Sequence, residues 1–152
     1  RLLDLQAENP TVFRRVVERW QPDVIAISCN YLANVPEVID LAKAARAVLP
    51  GCFIFVGGHS ASFVADDLLH HGQGAIDCVL KGEGEAAVVK LMEAVEHDRK
   101  ALNHVPGALS PHGEGPRPVF VNSLDDLMPA RDLLPNRHRY FIGELDPAAS
   151  IE

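Results

Sequence analysis

The 152 residues are about one domain in length, enough for a real core. With 47% hydrophobic and 23% charged residues, a net charge of −7 and no Lys/Arg run, the composition is that of a globular protein. It argues against nucleic acid or an anionic membrane as partner.

No apolar run approaches the ~20 residues that span a bilayer, and no signal peptide opens the chain. A cytoplasmic protein without a transmembrane segment is expected. The chain starts in an apolar segment without Met, as a piece of a larger protein would.

Taken in order, the elements alternate between two periods. "RLLDL" (residues 1–5) predicts a short strand. "TVFRRVVERW" sets Val12, Val16, Val17 and Trp20 on one helical stripe. "DVIAIS" is a continuous apolar run, the pattern of a strand covered on both faces. "PEVIDLAKAARAVL" predicts a helix with Pro36 in its first turn and Val38, Leu41, Ala42, Ala45, Val48 and Leu49 on one face. "CFIFV" repeats the buried-strand signal. Residues 60–71 predict a helix through Phe63, Val64, Leu68 and Leu69. "IDCVL" is another strand, and "EAAVVKLMEAVEHD" a helix with Val88, Leu91, Met92 and Val95 aligned.

Strands alternating with helices of this length predict βαβ units and a parallel sheet with helices on both faces. In such sheets ligands bind beyond the carboxyl ends of the strands. Those ends are Asp4, then Ser28, Cys29 and Asn30, then Gly57, Gly58 and His59, then Lys81, Gly82 and Glu83. Past residue 100 prolines accumulate and the helix period is lost. "VPGALS" and "RPVFVN" flank "PHGEGP", a hairpin signal. "SLDDLMPARDLLPNRH" predicts an extended linker with a short helical turn, and "RYFIGEL" one more strand. Two regions are therefore expected: an α/β domain over residues 1–100, and a hairpin and linker over 101–152.

Gly57 and Gly58, followed by His59, Ser60, Ala61 and Ser62, make a turn of small residues. It answers either a need for positive φ angles or a slot for something passing close to the backbone. Ser28 and Asn30 end the preceding strand, where Asn34 is the better-placed cap for the next helix, leaving both to face a ligand. "KGEGEA" fits a dinucleotide fingerprint literally, but no acidic residue ends a following strand, which disfavours a Rossmann nucleotide site. Glu83 and Glu85 suit a helix N-terminus. Of seven histidines, His59 alone sits at a strand end among small residues. His70, His71 and His97 end helices, and His104, His112 and His138 read as loop residues. Cys29, Cys52 and Cys78 form no metal-ligand spacing and are expected as free buried thiols. A receiver-type signalling domain would need acidic strand ends, which are lacking.

From Ser28-x-Asn30 to Gly57-Gly58 there are 26 residues, each end closing a buried strand. This resembles the cobalamin-binding fold, whose signature is SxL, a spacer of about this length, and GG. Asn30 stands where that signature has leucine, and the upstream DxHxxG histidine motif would precede residue 1. "VGGHSASF", "VLKGEGE", the hairpin and "LDDLMPARDLL" are similar to the N-terminal region of cobalamin-dependent radical S-adenosylmethionine enzymes. Within that group "ISCNYLANVPEVIDLAKA" and "YFIGELDPAASIE" look most like the hopanoid C-3 methylases, with anaerobic magnesium-protoporphyrin monomethyl ester cyclases as near relatives.

The resemblance implies a flavodoxin-like (Rossmann-like) doubly wound sheet, its first strand missing here. It also implies a cobalamin site at Ser28, Cys29, Asn30, Tyr31, Gly57, Gly58, His59, Ser60, Gly82 and Glu83. The implied partner is a radical S-adenosylmethionine barrel of the same chain, with a 4Fe–4S cluster, serving methyl transfer or cyclisation. A standalone cobalamin carrier is the competing binding-module reading. The fragment itself is expected to catalyse nothing, because it lacks the barrel and the cluster cysteines.

Overall fold

The computed structural model describes residues 2–5, 11–123, 127–130 and 133. At its centre is a five-stranded sheet in the spatial order β1 (Val24–Ser28), β2 (Phe53–Gly57), β3 (Cys78–Leu80), β4 (Ala108–Ser110) and β5 (Gly113–Glu114). The first three strands are parallel, with Val24 beside Phe53, Ser28 beside Gly57 and Val56 beside Val79. β4 runs antiparallel to β3, and β5 turns back on β4.

Four helices cover the sheet: α1 (Thr11–Trp20), α2 (Val35–Val48), α3 (Ala65–Gly72) and α4 (Gly84–His97). Pro36 starts α2, where its missing N–H costs nothing. Val38, Ala42 and Ala45 then recur at helical spacing on its buried face. α3 ends at Gln73 in the left-handed conformation (φ 52°), with His70 and His71 in its last turn, where cations suit the helix dipole.

Alternation along the strands sends side chains to two cores. One holds Ile25, Ile54, Val56 and Val79 against α1, α2 and α3, through Val17, Val38, Ala42 and Leu68. The other holds Phe53, Phe55, Cys78 and Leu80 against Ala87, Leu91 and Ala94 of α4. The parallel α/β class is therefore as the sequence pattern implies.

The amino ends of the strands are clamped by Arg46. Its guanidinium donates to Pro50 O (2.8 Å), Cys52 O (2.6 Å) and the Asp77 carboxylate (2.5 Å), which also accepts from Ile54 N at 2.7 Å. This fixes the loops at the end of the sheet opposite the glycine turn.

Several expectations need correction. Residues 2–5 form no strand and take no place in the ladder of the five-stranded sheet. β1 is not covered on both faces, since Ala26 and Ser28 are exposed. Residues 60–71 are not one helix. Ser60–Ser62 form a 3-10 turn, α3 starts only at Ala65, and Phe63 is exposed. Trp20 lies off the buried stripe of α1, which centres on Val17. The hairpin's second strand is Gly113–Glu114 rather than "RPVFVN", because Gly115 N already closes on Ala108 O and the chain then leaves the ladder. Asn34 occupies the cap position of α2 without a side-chain cap bond. The "RYFIGEL" strand and His138 lie outside the described residues, as does most of the linker. No helix among the described residues is long and apolar enough to cross a membrane.

Cys29, Cys52 and Cys78 are free and buried, as expected. Burial pushes the Cys78 thiol up to about 12 from its ordinary 9.0. Between those values the unfolded chain has released a proton that the folded chain keeps, so stability falls as pH rises from 9.0 toward about 12. Urea midpoints should drop from neutral to alkaline pH, and by less in Cys78→Ala; an equal drop in both proteins excludes this thiol as the cause.

Candidate functional site

Parallel register brings three loops to one edge of the sheet. Ser28 and Gly57 are direct neighbours, and β3 ends at Leu80 beside them, so residues 28–31, 57–63 and 81–83 leave from the same side. Hydrogen bonds then tie the loops together. Cys29 N donates to Gly57 O (2.7 Å), prolonging the ladder by one step. The Cys29 carbonyl accepts from Ser60 N (3.0 Å) and Ala61 N (3.2 Å), satisfying the first amides of the 3-10 turn. The Ser60 hydroxyl donates to Asn30 O at 2.8 Å, and His59 N reaches Asn30 Oδ1 at 3.4 Å. The Ser62 hydroxyl donates to Gly58 O (3.4 Å) and accepts from Gly82 N (3.0 Å).

The two glycines differ. Gly58 has φ +102°, and a Cβ there would stand 2.6 Å from Asn30 Oδ1 and 2.9 Å from Cys29 O. It is glycine for backbone and packing reasons within the protein. A Cβ at Gly57 would meet nothing nearer than Leu80 O at 3.7 Å, so its missing side chain leaves room on the sheet. Gly57 falls on the Phe53 and Phe55 side of β2, and its neighbour Ser28 falls on the same face of β1 together with Ala26.

Among the described residues that face is open over Ala26 and Ser28, while Val24 at the start of β1 packs against the α4-side core. α4 seats Ala87, Leu91 and Ala94 on β2 and β3, and Val88, Met92 and Val95 on its flank are only partly buried. The opposite flank, with Lys90 and His97, borders the 3-10 segment Arg99–His104. Val88, Met92 and Val95 therefore look toward β1. Exposed Ala26 and Ser28, with half-exposed Gly57, thus floor a trough of small residues beside an apolar helix flank. Ala26 was not among the sequence candidates. The signal was available as two small residues at i and i+2 in β1, aligned with Gly57.

The remaining predicted residues take distinct places. The Cys29 side chain is fully buried in the α2 core, and burial raises its thiol, so only its backbone serves the strand edge. Asn30 and Ser60 are engaged in the loop bonds above. Tyr31 is exposed at the rim. The exposed His59 ring meets Phe63 edge-on, 5.2 Å between centroids. Gly82 packs against Pro118, and Glu83 accepts a hydrogen bond from Val121 N rather than capping α4. A separate shallow cleft of about 300 Å³ between α4 and the segment Arg99–His104 contains none of these residues. Among the described residues, no cluster of three or more His, Cys, Asp or Glu side chains is placed to hold a metal ion.

The loops thus join at the carboxyl edge of a mostly parallel α/β sheet, beside a trough of small residues. The B12 binding domain family matches residues 1–92, and the chain belongs to that family. It is 60% identical over all 152 residues to hopanoid C-3 methylase from Methylococcus capsulatus, spanning 29% of that protein. It is also 26% identical over 141 residues, 89% of this chain and 30% of the relative, to an uncharacterized methyltransferase of Pyrococcus horikoshii. The chain thus spans under a third of the length of these relatives. Cobalamin is the cofactor this family implies, and the trough fits it: an open floor of Ala26, Ser28 and Gly57 can admit a planar group that larger side chains would exclude.

Proposed function

We propose that this chain is the cobalamin-binding part of a cobalamin-dependent radical S-adenosylmethionine methyltransferase acting on an unactivated carbon of a lipid-like or tetrapyrrole substrate. The observation that carries the reading is the uncovered trough of Ala26, Ser28 and Gly57 beside the joined strand-end loops. Similarity over the whole chain to a hopanoid C-3 methylase supports the reaction class. The cofactor-binding residues on this reading are Ala26, Ser28 and Gly57 in the trough, flanked by Val88 and Met92. Tyr31, His59, Gly82 and Glu83 stand at the rim, while Cys29, Asn30 and Ser60 shape the loops from behind.

Cobalamin, when bound, supplies methyl-carrying chemistry; the protein supplies position and shielding. Ser28 offers an exposed hydroxyl to the tail of the cofactor. His59, held edge-on by Phe63, presents a ring nitrogen at the rim for a hydrogen bond. The proposal places the radical generator, a 4Fe–4S cluster with S-adenosylmethionine, in another domain of the same chain.

The full-length protein, loaded with hydroxocobalamin and gel-filtered, is expected to retain the corrin spectrum near stoichiometrically. Under reducing conditions it should cleave S-adenosylmethionine to 5′-deoxyadenosine. Loss of the corrin on the column sinks the cobalamin reading; retention without any cleavage sinks the radical one.

A further inference from the structure

Beyond the residues that the family matches, the chain comes back to the strand ends. After β5, residues 116–121 run without regular structure past the carboxyl end of β3. Three contacts hold them there. The Pro116 carbonyl accepts from Gly107 N at 2.8 Å, and Gly107 O accepts from Lys81 N, also at 2.8 Å. The Pro118 ring lies over the turn at Gly82 so closely that a Cβ on Gly82 would stand 2.6 Å from Pro118 Cβ. The Glu83 carboxylate accepts from Val121 N at 2.5 Å, a charge-assisted bond.

A strap fixed this firmly has its conformational entropy already spent, yet its apolar side chains stay outside. Val119 is 50% and Phe120 69% exposed. The path from Phe120 to the glycine turn is short in bonds. Glu83 follows Gly82, whose N–H donates to the Ser62 hydroxyl, which in turn donates to Gly58 O. Phe63, 74% exposed, directly follows Ser62. The strap and Phe63 therefore flank the Gly82 turn from two sides. The corrin macrocycle has broad apolar faces, and aromatic side chains held at its edge would bury area at little further ordering cost.

We infer that Glu83 is a positioning residue for the cobalamin site: through the Val121 N–H it holds residues 116–121 across the end of β3, so that Val119 and Phe120 wall the site there. This rests on the cobalamin reading and extends the site past residue 92.

The test is the dissociation rate of hydroxocobalamin from the full-length protein, followed by the visible spectrum, in Glu83→Ala, Val121→Pro and Gly82→Ala. The first removes the acceptor, the second the donor, and the third displaces Pro118 without touching either. Each is expected to speed dissociation roughly tenfold, about one hydrogen bond's worth. Glu83→Gln, which keeps an accepting oxygen, should restore most of the wild-type rate. Hydrogen exchange at the Val121 amide should accelerate in Glu83→Ala. If Glu83→Ala alone speeds release, Glu83 touches the cofactor directly and the strap has no such role. Unchanged rates in all three variants of a protein that does load cobalamin overturn the inference and leave the cobalamin reading standing. A wild type that never retains the corrin overturns both.

Discussion

Gly58→Leu is expected to prevent stable folding of this domain, and Gly58→Ala to destabilise it severely. Two costs add. A side chain at φ +102° must leave the conformations open to L-residues, at roughly 1–2 kcal/mol. Its Cβ would also be driven against Asn30 Oδ1 and the Cys29 backbone, and overpacking of this kind costs about 1–3 kcal/mol. The sum is a large share of the roughly 5–15 kcal/mol that hold a domain together. The Cys29 carbonyl cannot retreat cheaply, because it accepts both Ser60 N and Ala61 N. Gly57→Ala, where the nearest atom is 3.7 Å away, should fold like the wild type. Urea unfolding of the three proteins decides: a Gly58→Ala midpoint equal to that of Gly57→Ala would show that the turn relaxes and that the backbone argument is wrong. The sequence alone left two readings of this turn of small residues open, a need for positive φ angles or a slot close to the backbone. The packing of Asn30 against that glycine leaves no space at Gly58, whereas a Cβ at Gly57 meets nothing nearer than 3.7 Å.

Filling the trough is the complementary experiment. Ala26→Leu or Ser28→Leu should leave the fold intact and lower cobalamin affinity about 100-fold or more, equivalent to about 2.8 kcal/mol. Both side chains are exposed on this face of β1, so an added leucine enlarges the surface there rather than the core. It would occupy the space that the small residues leave beside Val88 and Met92. A bound cofactor cannot share that volume, since interiors at native density tolerate little overpacking. Native-like circular dichroism with loss of the corrin after gel filtration is the expected result. Full corrin retention by both leucine variants would move the site away from this face.

The order of strands and helices was legible in the sequence because it depends on local periodicity. Short continuous apolar runs such as "CFIFV", bounded by turn residues, point to buried strands, and stripes such as Val38, Ala42 and Ala45 to a helix face. Parallel topology followed, and with it the meeting of the Ser28, Gly57 and Gly82 turns at one edge. The buried thiols were equally readable, since small apolar side chains within strands have nowhere else to go.

What the tertiary structure alone decided depends on residues distant in the chain. Residues 60–71 carry a helical pattern, yet the Cys29 carbonyl captures the Ser60 and Ala61 amides, so the chain turns in 3-10 form before α3 can start. Glu83 has the position of a helix cap, but Val121, 38 residues on, takes its carboxylate. Ala26 looks like core in a run of apolar letters, and only the placement of α4 over β2 and β3 shows that it is uncovered. Periodicity reports which face of an element seeks burial. Whether a neighbour comes to cover that face, or to claim a free donor, depends on where the rest of the chain packs, and that is settled only in three dimensions.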